Sequence, residues 1–261
     1  MKRSTLLTSL GLCLLSVACG GSPDSVGSEA DPIESNDAVF TIAKIWELQL
    51  PTGSGTSPTT VSPGSLASFS NAFYFKAEDG GQVFADPAHG ITTSGSKHPR
   101  AEMRESTSSG AQAAWSASGT NTMTVEGKVL KVGGGSSGDV TIGQVFNGTD
   151  SITLCELQYS NEVDGLKLFY EEAKGEGGSP IDLKTPIALN SKYTFTLALT
   201  KDELTVVVNG KQVYSHKPSA DILQKKFYFK FGAYDQTATA GAVSTTAYTE
   251  VENYSAVVVH E

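Results

Sequence analysis

Residues able to hold an anion and move a proton beside it recur at every second position in two short stretches of this chain. In Tyr228-Phe229-Lys230-Phe231-Gly232-Ala233-Tyr234-Asp235-Gln236, period two places Tyr228, Lys230, Gly232, Tyr234 and Gln236 on one face. Phe229, Phe231 and Ala233 fall on the other, which suits packing on a core. The first face offers two phenols, an ammonium and an amide in register, with a central glycine where a ligand can approach closely. In Arg100-Ala101-Glu102-Met103-Arg104, the charged residues Arg100, Glu102 and Arg104 share a face while Ala101 and Met103 point behind. A third run, 142–146, places Gln144 and Phe146 together. A phenol near such cations is drawn below its usual pKa of about 10. The plainer readings are a solvated strand face and a surface ion-pair ladder worth little.

These faces require strands, and the rest of the chain supplies them. Helical patterning is scarce. Short alternating runs recur at 72–77, 82–85, 122–132, 140–146, 152–159, 166–170, 193–200, 204–208, 227–234 and 246–259, with Gly, Ser, Asn or Pro between them. Val208-Asn209-Gly210-Lys211 carries a two-residue hairpin signal. Many short strands separated by turns predict an all-β fold, a β-sandwich or jelly roll, as one domain over 39–261. Period two leaves the strand order open. Trp46 and Trp115 are expected in the core. Residues 133–138 and 173–180 read as Gly-rich loops, and the first lacks the Lys-Ser/Thr of a phosphate-binding loop.

The first 38 residues stand apart. Lys2 and Arg3 precede an apolar run over 6–17, too short to span a membrane and suited to an export signal. It ends Leu15-Ser16-Val17-Ala18-Cys19-Gly20, which resembles a bacterial lipobox with Ser16 where an aliphatic residue is usual. The expected outcome is removal of 1–18 and lipidation of Cys19; plain signal cleavage near Ala18 is the alternative. By resemblance to such lipoproteins, Gly20 favours the outer membrane. Residues 19–38, rich in Gly, Ser, Asp, Glu and Pro, read as a polar tether. With Cys13 in the signal and Cys19 lipidated, only Cys155 remains. One thiol forms no internal disulfide, and its strand-like surroundings predict a small buried hydrophobe.

Formal charge is −9, from 28 acids and 19 bases; losing Lys2 and Arg3 with the signal leaves 17 bases and a charge of −11. Such a chain is a poor general nucleic-acid binder. An anionic partner requires concentrated cations, as Arg100, Arg104 and Lys230 are on their shared face.

Three ordered blocks, Arg-x-Glu-x-Arg at 100–104, Gln-Val-Phe at 144–146 and Tyr-Phe-Lys-x-Gly-x-Tyr-x-Gln at 228–236, resemble the alginate lyases of polysaccharide lyase family seven. Trp46-Glu47-Leu48-Gln49-Leu50-Pro51 and Val83-Phe84-Ala85-Asp86-Pro87 resemble that family's opening segment. The likeness runs over about residues 40–259. Phe146 stands where the family usually has His. The resemblance implies a jelly roll with a concave substrate groove, and β-elimination from a uronate polymer. In that reaction a base removes the C5 proton and the C4–O bond to the next sugar breaks. The neighbouring carboxylate makes this C–H weakly acidic, so donors must neutralise it.

By motif match those donors are Arg100 and Gln144, and Tyr234 is both base and acid. Glu102, Arg104, Phe146, Tyr228, Lys230 and Gln236 bind substrate or support the site. His98 is the histidine placed to reach the same face, with a solvated loop histidine as the alternative. No metal or other cofactor is required. Phenylalanine neither donates nor takes a proton, so the expected reaction is a same-side elimination by Tyr234 that favours mannuronate-type residues of alginate. Glucuronan is the alternative polymer, and a non-catalytic carbohydrate-binding module the alternative of another class. The expected partner is an anionic polysaccharide, with no nucleic acid and membrane contact only through a lipid anchor. The chain is expected to be a monomer, held at the outer membrane or secreted.

Overall fold

The computed structural model describes residues 45–261. The expected signal, the lipidation site Cys19 and the polar tether lie outside the described residues, as do residues 39–44.

In chain order the strands are β1 Trp46–Ser54, β2 Ser57–Val61, β3 Tyr74–Lys76, β4 Gln82–Pro87, β5 His89–Gly90, β6 Ala101–Glu105, β7 Trp115–Ser116, β8 Asn121–Lys131 and β9 Asp139–Asn147. There follow β10 Ile152–Ser160, β11 Gly165–Tyr170, β12 Ile181–Pro186, β13 Tyr193–Leu199, β14 Leu204–Val208, β15 Lys211–His216, β16 Lys226–Asp235, β17 Thr239–Ala240 and β18 Ala247–His260. One short helix, α1 Ala220–Leu223, precedes β16 and is capped by the Ser219 hydroxyl.

Two antiparallel sheets dominate. One runs β12-β11-β10-β9-β16-β6-β1-β2 with β7 attached to β16, and the other runs β15-β14-β13-β8-β18-β4-β3. Their facing surfaces make the core, a β-sandwich of jelly-roll type. Trp46, Leu48, Met103, Val145, Phe229 and Phe231 come from the first sheet; Phe84, Met123, Val125, Phe195, Leu197 and Val251 come from the second. Phe231 meets Trp46 edge-on at 4.8 Å and Phe84 at 5.6 Å between ring centroids. Each such buried side chain contributes about 1.5–3 kcal/mol, so this layer stabilises the scaffold that carries the outer face. Trp46 is fully buried, as expected. Trp115 packs on Phe227 and Phe229 and donates its indole N–H to Glu105 Oε2 at 2.8 Å.

Central strand β16 lies between β9 and β6, and the period-two reading holds along it. Phe227, Phe229, Phe231 and Ala233 all enter the core. Gly232 has a different reason for being there than ligand access. Its φ is +141°, and a Cβ would lie 2.6 Å from the Ala101 carbonyl oxygen and 3.0 Å from Phe84 Cδ1. The backbone demands glycine at this point. Against β9, the register slips from Phe231↔Gly143 to Tyr234↔Thr141, so β16 carries one extra residue just before Tyr234. That bulge re-aims the tyrosine.

The Asn209-Gly210 turn joins β14 to β15 with φ of 49° and 77°, the two positive values that the hairpin signal requires.

Candidate active site

Sheet register brings the three sequence blocks side by side. Glu156 on β10 pairs with Gln144 on β9, Gln144 with Lys230 on β16, Lys230 with Arg104 on β6, and Arg104 with Glu47 on β1. A neighbouring row runs Thr153, Phe146, Tyr228. Strands lie about 4.8 Å apart, so each row is a continuous polar strip across the sheet. A cleft of ≈ 410 Å³ opens on this face, lined by Arg100, Arg104, Phe146, Tyr228, Lys230 and Tyr234 together with Gln49 and Glu156. Its walls are loop residues Thr93, Gly95 and Ser96 on one side and Asp150, Ser151, Glu171 and Lys174 on the other. The Gly-rich loop at 173–180 therefore touches the cleft through Lys174. A separate apolar cavity of ≈ 220 Å³ beside Leu66, Phe69 and Tyr74 holds none of the motif polar groups.

Tyr234 and Arg100 form the centre. The Arg100 guanidinium carbon lies 3.6 Å from the Tyr234 ring centroid. Ser96 joins them: its Oγ accepts from Arg100 Nη2 at 2.8 Å and lies 3.2 Å from Tyr234 Oη. The Ser96 hydroxyl gives its single proton to the His98 carbonyl oxygen at 2.9 Å, so in this arrangement the phenol donates to Ser96. Burial pushes the Tyr234 pKa up, with Arg100 opposing and the Glu156 carboxylate adding to the rise. The lowering expected from neighbouring cations is thus outweighed, because the ring lies deep in the cleft floor. On the core side, Asp86 Oδ2 accepts the Asp235 backbone N–H at 2.9 Å and fixes the strand just past Tyr234.

Glu102 is the buried anchor. It is 1 % exposed, accepts from Arg100 Nη1 at 3.2 Å through Oε2, and accepts from Gln144 Nε2 through Oε1. Gln144 itself is fully buried and does not line the cleft. Gln236 donates to Thr141 Oγ1 at 3.0 Å and to the Tyr234 carbonyl at 3.2 Å, supporting the strand from outside the cleft lining. Arg104 lies 3.6 Å from Glu47 and 5.9 Å from the Tyr228 ring centroid. Tyr228 stands 5.1 Å from Phe146, and burial raises its pKa. His98 sits next to Tyr234, 6.0 Å between centroids, with Nδ1 donating to the Ala238 carbonyl at 2.5 Å; it is not among the cleft-lining residues.

Lys230 is 4 % exposed, and its Nζ lies over the Phe146 ring at 3.8 Å. Among the described residues it makes no ion pair closer than 4.0 Å. Burial lowers its pKa to about 7; Arg100 and Arg104 add to the fall, while Glu102 and Glu156 oppose it. The ammonium is present below about pH 7 and lost above it, so affinity for an anionic polymer should fall as pH rises through that value. Losing one charge-assisted contact costs roughly 10-fold. Titrating polymer binding from pH 6 to 8.5 checks this, with Lys230→Arg expected to flatten the curve. A flat wild-type curve would remove Lys230 from the binding surface.

Ser96 and Glu156 escaped the sequence reading. Ser96 sits in a loop without motif or period. Glu156 lies beside Cys155 in a run readable only as a strand, and its partner across the sheet becomes visible only with the register.

Residues 41–260 match the family model for alginate lyase. No curated protein matches the chain. Among solved structures, alginate lyase A1-II′, a member of polysaccharide lyase family 7, is similar at 27 % identity and TM-score 0.72, over 87 % of this chain and 98 % of that one. An alginate lyase from Pseudomonas aeruginosa shares the fold at 23 % identity and TM-score 0.73, over 84 % and 99 % of the two chains. One from Corynebacterium sp. does so at 24 % and 0.69, over 84 % and 95 %. With the family model spanning both polar rows and the Tyr234–Arg100 centre, this chain belongs to the alginate lyase family and is a polysaccharide lyase.

Proposed function

We propose that the chain cleaves alginate at mannuronate-type residues by a same-side β-elimination carried by Tyr234. The observation that supports this most is the Arg100–Ser96–Tyr234 cluster at the cleft floor. A uronate carboxylate set against Arg100 has its charge neutralised there, and Gln144, buried beneath the cleft lining, holds Glu102 and through it the guanidinium in place. Ser96 can turn its hydroxyl from the His98 carbonyl to an ionised Tyr234, holding the phenolate. The phenolate takes the C5 proton, the C4=C5 double bond forms and the C4–O bond breaks. The phenol then returns that proton to the leaving oxygen. Because burial raises the phenol's pKa, the phenolate fraction and turnover grow with pH across the neutral to alkaline range.

Phe146 carries the preference. It replaces the family's histidine with a ring that takes no proton, and leaves Tyr234 as the acid and base on one side of the sugar. Alginate lyase A1-II′ is known with a product, GGG, and a substrate, GGMG, in its structure, which supports an oligouronate as the occupant of the corresponding cleft.

The test is ultraviolet absorbance of the new double bond with polymannuronate, polyguluronate and glucuronan. Polymannuronate should react fastest, at least about tenfold ahead of polyguluronate. Polyguluronate cleavage of equal rate that survives His98→Ala would overturn the single-tyrosine mechanism. Polymer retention without absorbance change would indicate a binding module, and glucuronan cleavage alone would move the substrate.

The Leu15–Cys19 sequence followed by a polar tether supports a lipid anchor on Cys19 and an outer-membrane location. Expressed in a Gram-negative host, wild type should fractionate with membranes and Cys19→Ser should carry no lipid. An unlipidated, soluble wild type would leave a plain secreted enzyme.

A further inference from the structure

Glu156 lies in the cleft floor, and neither the three motif blocks nor the elimination steps above use it. Its side chain is nine-tenths buried, at 8 % exposure, and lines the cleft with Lys230 and Tyr234. Oε2 is well satisfied: it accepts from Thr141 Oγ1 and from Gln158 Nε2, both at 2.9 Å. Oε1 has only the Thr153 hydroxyl at 3.4 Å. Among the described residues Glu156 makes no ion pair within 4.0 Å. The site thus holds a desolvated carboxylate with spare acceptor capacity and no cation of its own, in a cleft that receives a polyanion.

An ionised carboxylate only accepts hydrogen bonds. It repels the uronate carboxylate and attracts hydroxyls, to which its bonds are charge-assisted. Register sets the span those hydroxyls would have to bridge. In the row across the sheet, Glu156 and Lys230 are separated by the neutral Gln144, two strand spacings or about 10 Å. That span accommodates one pyranose ring with its substituents. A second uronate of the bound polymer, next to the one set against Arg100, whose C5 carboxylate faces the Lys230 and Arg104 side turns C2 and C3, across the ring from C5, toward Glu156.

We propose that Glu156 is a specificity-determining residue that accepts hydrogen bonds from the free C2 and C3 hydroxyls of a bound uronate, and so makes the enzyme reject polymer acetylated at those positions. An acetyl ester removes the O–H donor and adds bulk against a buried carboxylate whose Oε1 keeps only the long Thr153 contact. This inference rests on the alginate-lyase reading above.

The experiment compares native polymannuronate with the same polymer chemically O-acetylated at C2 and C3, following absorbance with wild type, Glu156→Gln and Glu156→Ala. Wild type should cleave the acetylated polymer at least about 10-fold more slowly. Glu156→Ala should lose about 10- to 100-fold in kcat/KM on native polymer, mainly through KM, and its native-to-acetylated ratio should approach one. Glu156→Gln keeps the shape and one carbonyl acceptor, so its ratio should fall between the two. The isosteric variant carries the test if the alanine variant does not fold, and the wild-type arm needs neither. Equal wild-type rates on both polymers would overturn the proposal, as would a folded variant that keeps the wild-type ratio. Absence of elimination by wild type on any uronate polymer is a different result, which would strike the lyase reading itself.

Discussion

Tyr234→Phe should fold as wild type does, still bind polymannuronate, and lose about 10²–10⁴-fold in turnover, the usual cost of removing a positioned acid or base. The phenol oxygen is the only atom removed, and in the resting site it meets Ser96 Oγ at 3.2 Å. Ring packing under the Arg100 guanidinium at 3.6 Å is kept, as is the bulge that aims the ring. Ser96 retains its bonds to Arg100 and the His98 carbonyl, so the variant leaves no buried donor stranded. The loss therefore belongs to kcat, with affinity changed little. Single-turnover absorbance and an independent binding titration separate the two. Turnover within a few-fold of wild type would remove Tyr234 as acid and base and bring Tyr228 forward.

Glu102→Ala should be the most damaging change to stability in the site, at about 3–5 kcal/mol, the usual range for breaking a buried ion pair from one side. The pair is almost fully desolvated, with side-chain exposures of 8 % for Arg100 and 1 % for Glu102. Alanine strands the guanidinium and also the Gln144 amide, which donates to the other carboxylate oxygen. The guanidinium then loses its counter-charge and the amide its acceptor, both in a layer largely shut off from water. Urea unfolding with an unchanged slope and a much lower midpoint is the expected result. Glu102→Gln, which keeps an acceptor for one partner, should lose less. An unchanged midpoint for Glu102→Ala would mean that the carboxylate stabilises nothing in the site.

The site was legible in the sequence to the extent that strand periodicity carried it. Lys230, Tyr234, Phe229 and Phe231 fall on the faces that period two assigns them, and Ala101 and Met103 pack behind Glu102 as expected. Strands of mixed character were less visible. β2 is largely exposed and polar, β1 runs through Pro51 to a glycine of φ +136°, and β12 includes Lys184 at φ +52°. None of them alternates cleanly, because each lies toward a sheet edge where one face need not be apolar. Neighbour relations across the sheet lay beyond period two altogether. No local pattern tells that Glu156 stands opposite Gln144, or that Ser96 bridges Arg100 and Tyr234, since those contacts depend on strand order and on a loop. The sign of the Tyr234 shift was misjudged for the same reason: residue types disclose the cations, whereas depth in the cleft floor is a property of the assembled sheet.

Cys155 gives the strand beneath the cleft a built-in clock. It is the cysteine of the described residues, wholly enclosed on the core side of β10, and burial pushes its thiol up to about 12. A thiol that is neither ionised nor reachable does not react with alkylating agents while the sandwich is closed. Its labelling rate then counts openings of β10, the strand whose opposite face presents Glu156 to the cleft. Polymer seated against that face should slow the clock in proportion to its occupancy, so that binding is read from the interior, with no optical signal from the sugar.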